Sequence, residues 1–549
     1  MSYWGIMTFT KCRLCAVLLA IFCLQASLFL ASSASAKTAN KKTTTKVTLK
    51  KAKDKAPKPK PSLAKNYHYT KQKRQALPEE VTKLLTKYKI PDKNISVYIR
   101  DLNSKTALIE HNADKLRIPA STMKLLTTYA GLKELGPNYS WRTEVWLRGE
   151  LKDGVLKGDL ILKGFGDPFL VVENFWKLVK NLRNKGLRVI EGDIIVDNSY
   201  FSQPPHNPAA FDGKPFRVYN AQSSALMFNF QATRFLFRPI EDDKKSILTK
   251  LKTKLKGKKA GKKGKKKITG RVEVIPFPAI KGFKFDNQIK FTSGKCKRSH
   301  FKPKFSKNKK GVLVIKGNYS IKCKQRFILR AVSKPEQHIF NAFRDIWIDL
   351  KGTLKGKLKK GRLTKGDEQF HVYSSPTLGE MIRLINKWSN NVMTRQLLLT
   401  VGAKKYGAPG TLEKGKRAVL SILAENKINT TGINLENGSG LSRKAKISAR
   451  QMADLLDKAY RDAYMPEFLS SLSLAGVDGT LVSRFRKEDI RGRSHLKTGT
   501  LNSVTAIAGY MLNRAGKRMI IVVQHNGNKS GGGRGKKIQD ALLRWSFEQ

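Results

Sequence analysis

The chain has 549 residues, with 108 Lys and Arg against 41 Asp and Glu, a formal net charge of +67, and five cysteines. That length buries a large core and allows two or three domains. The basic residues are unevenly spread, and beyond the first 36 residues no stretch is apolar enough to cross a bilayer.

Met1–Ala36 reads as a secretory leader: Lys11 and Arg13, an apolar run from about Leu14 to Leu30, then Ala34-Ser35-Ala36. Cleavage after Ala36 is expected, with an uncleaved anchor as the alternative. Cys12, Cys15 and Cys23 fall in this leader and leave only Cys296 and Cys323 in the mature chain. In an oxidising compartment those two are expected to form a disulfide. No H-x-x-H or C-x-x-C pair follows, so neither a metal nor a cofactor is expected.

Lys37 to about residue 76 is Lys, Thr, Ala and Pro with almost no acid, the composition of an extended, disordered tether. Order is expected from about Leu77 with a short helix. Alternating strands at Ile95–Asp101 and Thr106–Asn112 follow, then a helix over Ser121–Leu135 stopped by Gly136-Pro137. From Ser140 the pattern changes to short strands and turns. Gly158–Leu162 and Gly192–Val196 read as two similar strands with a helix over Val172–Leu182 between them. Residues 223–335 read as a mixed β region interrupted by Lys244–Lys267, a lysine and glycine run expected to be an exposed insertion. Helical periodicity returns over Thr377–Leu399, Thr411–Asn426 and Ser448–Tyr460. Three strands (His495–Thr500, Ser503–Leu512, Arg518–His525) and a last helix end the chain.

Three short motifs carry chemistry. Ser121-Thr122-Met123-Lys124 puts a hydroxyl and an amine one helical turn apart, on one face, where an extended segment turns into a helix. A lysine that is buried or crowded by a second cation can give up its proton and act as base for the serine. The spacing alone is weak, because it recurs at Ser62-Lys65, Ser299-Lys302, Ser306-Lys309 and Ser494-Lys497. Company strengthens it. Ser389-Asn390-Asn391 follows the amphipathic helix Leu378–Trp388, and Lys497-Thr498-Gly499-Thr500 lies on a strand. The trio S-x-x-K, S-x-N and K-T-G, in this order, belongs to penicillin-binding proteins and related β-lactamases. In this reading Lys497 supplies the second cation, Ser389 relays a proton, and Asn391 holds a substrate carbonyl. Thr498 and Thr500 suit a terminal carboxylate, Gly499 lets a substrate backbone approach, and the N–H groups of Ser121 and Thr500 form an oxyanion site.

With the motifs placed, the chain resembles the class C low-molecular-mass penicillin-binding proteins, the D-alanyl-D-alanine carboxypeptidase/endopeptidase (peptidase S13) family. Gly164-Phe165-Gly166-Asp167-Pro168, Gly438-Ser439-Gly440-Leu441-Ser442 and Ala475-Gly476-Val477-Asp478-Gly479-Thr480 extend the likeness from about residue 78 to the end. The resemblance implies a mixed α/β (α+β) fold: a β-lactamase/transpeptidase-like serine hydrolase domain (77–141 and 368–549) split by inserted β-rich domains. Those are an inserted domain (142–222 and 335–367) and a nested one (223–334) carrying the lysine-rich insertion. It implies cleavage of D-Ala–D-Ala bonds or crosslinks in peptidoglycan stem peptides through a Ser121 acyl-enzyme that β-lactams trap, in a periplasmic or extracytoplasmic setting. Two departures stand out. Asn437 replaces the family's usual Asp, which is expected to weaken a turn contact. Asp212, the nearest match to an acid that reads the substrate's side-chain amine, is crowded by Lys214.

The lysine-rich segments fit anionic envelope surfaces through counterion release, and the leader argues against a specific nucleic-acid partner. The competing readings are a noncatalytic polybasic wall-binding scaffold and a slow β-lactamase.

Overall fold

The computed structural model describes residues 74–242, 269–277, 284–296, 301, 303–531 and 533–549. The leader, nearly all of the tether and the lysine-rich run therefore lie outside the described residues.

The main sheet is built from two parts of the chain that lie far apart in sequence. Helix α1 (Glu79–Lys87) leads into β1 (Ile95–Asp101) and β2 (Ile109–His111). Gln75 already bridges to Ile109 at the sheet's edge. The sheet is completed some 400 positions later by β16 (Ser473–Leu474), β17 (Ser494–Leu501), β18 (Val504–Leu512) and β19 (Arg518–Asn526), in the order β16-β17-β18-β19-β1-β2. All pairings between its six strands are antiparallel, with Ile95 opposite His525 and Asp101 opposite Met519.

The period-two alternation of its strands divides two cores. Ala508, Tyr510, Ile520 and Val522 face a helical cluster. Ile507, Met511, Ile521 and Val523 face α1 and the C-terminal helix α9 (Arg534–Glu548). The cluster is centred on α2 (Lys124–Leu135), whose residues from Lys124 to Leu132 are all buried. It packs against α5 (Leu378–Trp388), α6 (Asn391–Tyr406) and α7 (Leu412–Glu425), while α8 (Ala449–Tyr460) lies on the sheet. The helical texture over Thr377–Leu399 is thus two helices. Ser389 turns left-handed (φ 58°) and ends α5, and Asn390 caps α6 by accepting from the N–H groups of Val392 and Met393.

Between these halves lies a seven-stranded sheet. β3 (Ser140–Lys152) and β4 (Val155–Gly164) form its long hairpin, joined by β5 (Val189–Ile190), β6 (Ile194–Asp197), β13 (Thr353–Leu354), β14 (Leu358–Lys360) and β15 (Glu368–Thr377). The two look-alike segments read from the sequence pair with each other in parallel, Leu160 beside Ile194. Helices α3 (Val172–Asn184) and α4 (Pro335–Asp349) cover one face. β15 pairs with β3 and runs directly into α5, so the insert's last strand delivers the helix that ends at Ser389.

The nested region is two small sheets face to face. One holds β7 (Thr233–Glu241), β8 (Gly270–Phe277) and β12 (Arg326–Arg330); the other holds β9 (Phe285–Thr292), β10 (Lys304–Lys307) and β11 (Leu313–Ser320). Phe235, Phe237, Val274, Ile315 and Tyr319 fill the space between them. Cys296 and Cys323 form the expected disulfide here. Among the described residues no helix is long and apolar enough to cross a membrane.

Candidate active site

Pro119 ends an extended approach, Ala120 takes a left-handed turn (φ 48°), and Ala120–Met123 form one tight 3₁₀ turn before α2. Ser121 sits half-exposed in that turn and Lys124 opens the helix beneath it, wholly buried. Two glycines let other segments close on the turn. A Cβ on Gly499 of β17 would lie 2.7 Å from Pro119 O and 3.0 Å from Ser121 N. One on Gly440, at φ +74°, would lie 1.7 Å from Ala120 O. Gly499 therefore makes room for the protein's own Ser121 turn, which differs from the expectation that it clears space for a substrate backbone.

Lys124 Nζ has three neighbours: Ser121 Oγ at 3.1 Å, Asn391 Oδ1 at 2.5 Å and the Ser439 carbonyl at 2.6 Å. The last two are pure acceptors. A neutral amine has two N–H donors and one lone pair, so satisfying both acceptors leaves the lone pair for the serine hydroxyl. The electrostatics point the same way. Burial, then the charge of Lys497, then that of Arg395, hold Lys124 well below the ordinary lysine range. Lys497 is itself buried, its pKa pushed down to about 7 by desolvation. It donates to the Thr498 carbonyl at 3.0 Å. Among the described residues neither lysine has a carboxylate partner.

Arg395 was not legible as a site residue, although it stands one helical turn after Asn391. Its guanidinium donates to the carbonyls of Tyr219 (3.0 Å) and Ala221 (2.8 Å), tying α6 to the insert beside the site. Burial pushes its pKa down only to about 10, so it stays charged at neutral pH.

Asn437 does the opposite of what was expected. Its Oδ1 accepts from Ser439 N (3.1 Å) and Oγ (2.8 Å), and its Nδ2 donates to Leu441 O at 2.9 Å, a bond that an aspartate lacks the hydrogen to make. This turn presents the Ser439 carbonyl to Lys124 and is anchored to α2 by Thr127 Oγ1, which donates to Gly438 O.

The stretch after β16 joins the two other motifs. Lys387, two residues before Ser389, pairs with Asp478 at 2.6 Å, and Thr498 Oγ1 donates to Thr480 Oγ1 at 2.8 Å. Gly499 is buried and Thr500 exposed on the same strand. Asp212 accepts from Tyr219 Oη (2.7 Å) and Asn220 Nδ2 (2.8 Å), with Lys214 Nζ 3.8 Å away. Its carboxylate is thus engaged by the very turn that Arg395 holds. Among the described residues no cluster of His, Cys, Asp or Glu could hold a metal.

A buried lysine under a serine at the mouth of a helix, between an antiparallel sheet and a helical cluster, defines a β-lactamase/transpeptidase-like serine hydrolase. The family model for the D-Ala-D-Ala carboxypeptidase 3 (S13) family matches residues 77–549, and the chain belongs to that family. It is 27% identical over 472 residues to the D-alanyl-D-alanine carboxypeptidase of Actinomadura sp. (strain R39), a match spanning 81% of this chain and 80% of that protein. It is 22% identical over 453 residues to D-alanyl-D-alanine carboxypeptidase DacB of Haemophilus influenzae, covering 81% and 88%. The crystal structure of penicillin-binding protein 4 from that species shares the fold, with a TM-score of 0.69 at 20% identity over 86% of this chain and all of that one.

Proposed function

We propose that this protein is a serine-type D-Ala-D-Ala carboxypeptidase/endopeptidase that cuts peptidoglycan stem peptides through an acyl-enzyme on Ser121 and is trapped there by penicillin. The observation that carries it is the placement of a fully buried Lys124, with no carboxylate partner among the described residues, beside Ser121 Oγ. Burying an amine without a counter-charge costs stability, and a scaffold would have no reason to keep two such lysines.

In the proposed cycle neutral Lys124 takes the Ser121 proton as Oγ attacks the carbonyl carbon of the penultimate D-alanine. The N–H groups of Ser121 and Thr500 hold the developing oxyanion. Asn391 steadies the substrate amide, and Lys497, Thr498 and Thr500 receive the terminal carboxylate. Ser389 passes a proton to the leaving amine, and water then hydrolyses the ester. The catalytic domain is proposed to comprise the two chain ends, with the seven-stranded sheet and the nested sheets as its inserts. The lysine-rich stretches 37–74 and 244–267 are proposed to hold the enzyme to an anionic envelope surface, outside the cytoplasm. Loss of that binding at high salt would support this.

Mass spectrometry after incubation with benzylpenicillin tests the reading. One adduct on the Ser121 peptide is expected, and none on a folded Ser121→Ala variant. Stoichiometric labelling of that variant overturns the assignment.

A further inference from the structure

The nested region's β12-β7-β8 sheet has an outer face unlike that of an ordinary solvent-exposed sheet. Its inner face supplies Phe235 and Phe237 to the core, so alternation turns Arg234 and Leu236 outward. The register places Arg234 directly between Leu329 and Phe277, and Leu236 between Phe327 and Ile275. These form two cross-strand rows with five apolar side chains in contact range. Phe277 is 52%, Leu329 52%, Phe327 49% and Ile275 38% exposed. Apolar patches of this kind on a monomer's surface mark binding sites.

The first row does not end in open solvent. Phe277, Arg234 and Leu329 line a cavity of about 680 Å³ whose opposite wall is Trp388, Ser389 and Asn391. Trp388 is 65% exposed, and Phe169 and Phe230 complete an aromatic lining. The groove is thus continuous with the second catalytic motif and runs away from it across the nested sheet. Its volume falls within the few hundred to about 1,000 Å³ of sites for ligands much larger than a terminal dipeptide. The cavity lining holds one cation, Arg234, and one carboxylate, Glu173, while Arg238 on the same face of β7 is paired with Glu273. The Arg234 guanidinium stacks 3.6 Å above the Phe327 ring and has no ion pair among the described residues. That leaves its charge free for a carboxylate.

We propose that this groove is a subsite for the second peptide arm of a crosslinked wall substrate, with the arm's carboxylate on Arg234 and its apolar side chains along Phe277 and Leu329. The assignment rests on the proposed D-Ala-D-Ala peptidase activity and deepens it: the nested domain makes the enzyme selective for crosslinks over free terminal D-Ala-D-Ala.

The test uses the full chain and four probes: a sugar-free crosslinked dimer of two stem peptides, the same dimer with its sugars, a short acyl-D-Ala-D-Ala peptide, and benzylpenicillin. Phe277→Ser, Leu329→Ser and Arg234→Gln change only exposed side chains of the nested sheet. The expected result is a loss of tenfold or more in kcat/KM on the dimer, mostly through KM. Short-peptide cleavage and penicillin acylation should stay within twofold, which also shows that the variants fold. Equal losses on dimer and short peptide, or no loss on either, overturn the subsite. So does a loss seen only when the dimer carries its sugars, since the groove then reads glycan. A wild-type protein that neither acylates with penicillin nor cleaves either peptide refutes the underlying activity instead.

Discussion

Replacing Gly499 by alanine tests the contact between β17 and the Ser121 turn. The added methyl would stand 2.7 Å from Pro119 O, 3.0 Å from Ser121 N and 3.1 Å from Ala120 Cβ, against ordinary contact at 3.4 Å or more. Two of these neighbours are backbone atoms, which cannot swing aside. Strand and turn must therefore part by roughly 0.4–0.7 Å, a strain of about 1–3 kcal/mol by analogy with overpacked cores. The same movement carries Thr500 away from the Ser121 N–H. A misplacement of 1 Å can cost about a hundredfold in rate, so a loss on the order of tenfold in the second-order rate of acylation is expected. Fluorescent-penicillin labelling measures the rate and thermal unfolding measures the strain. Gly531→Ala, with nothing within 4 Å of its Cβ position, serves as a silent control. Acylation at the wild-type rate with an unshifted Tm would refute the packing argument. Unchanged penicillin acylation with weakened peptide cleavage would return Gly499 to the role read from the sequence, clearance for a substrate backbone.

Other perturbations separate the lysines, the Asn437 turn and the disulfide. Burial depresses Lys497 to about 7, below its ordinary value near 10.4, so between these limits the unfolded chain binds more protons and stability rises with pH. Lys497→Met should therefore raise Tm most at pH 7 and below, with the gain fading toward pH 10; parallel Tm–pH curves for the two proteins would contradict this. Asn437→Asp places a carboxylate behind the Ser439 turn. At roughly 6–9 Å from Lys124 Nζ and an effective dielectric near 20, its attraction for a protonated Lys124 is about 2 kcal/mol before solvent screening. The acidic limb of the acylation pH profile should move up by about one unit, and an unmoved limb would show that the turn acts by shape alone. Opening the Cys296–Cys323 bridge, which spans 27 residues, should cost about 3–4 kcal/mol on loop-entropy grounds. The loss should be confined to the nested sheets, with limited proteolysis cutting there and penicillin acylation unchanged; a fall in acylation would contradict that independence.

The sequence made local features readable and left long-range ones hidden. Ser121 and Lys124 were visible because one helical turn joins them, and Ser389 because an amphipathic helix stops before it. The strands of the main sheet show as apolar runs, since β18 and β19 are buried on both faces. Arg395 was missed because its partners are main-chain carbonyls some 175 residues away, which have no signature in side-chain pattern. The Ser439 carbonyl was missed for the same reason. Asn437 was misjudged because the lost charge is visible in the sequence and the gained donor bond to Leu441 is not. Gly499 and Gly440 could be read as places needing room, but only the fold shows which segment fills it.

The pairing of β1 with β19 has a consequence for how the molecule is made. Ile95–Asp101 and Arg518–Asn526 lie side by side in the register of a single sheet, so β1 must wait for a partner strand made roughly 400 positions later in synthesis. The inserted hairpin of β3 and β4 closes within a few positions of itself and can form long before. Biosynthesis therefore passes through a stage in which the inserted parts are finished while the hydrolytic centre does not yet exist. A chain cut short before Arg518 would be folded in its middle and chemically inert.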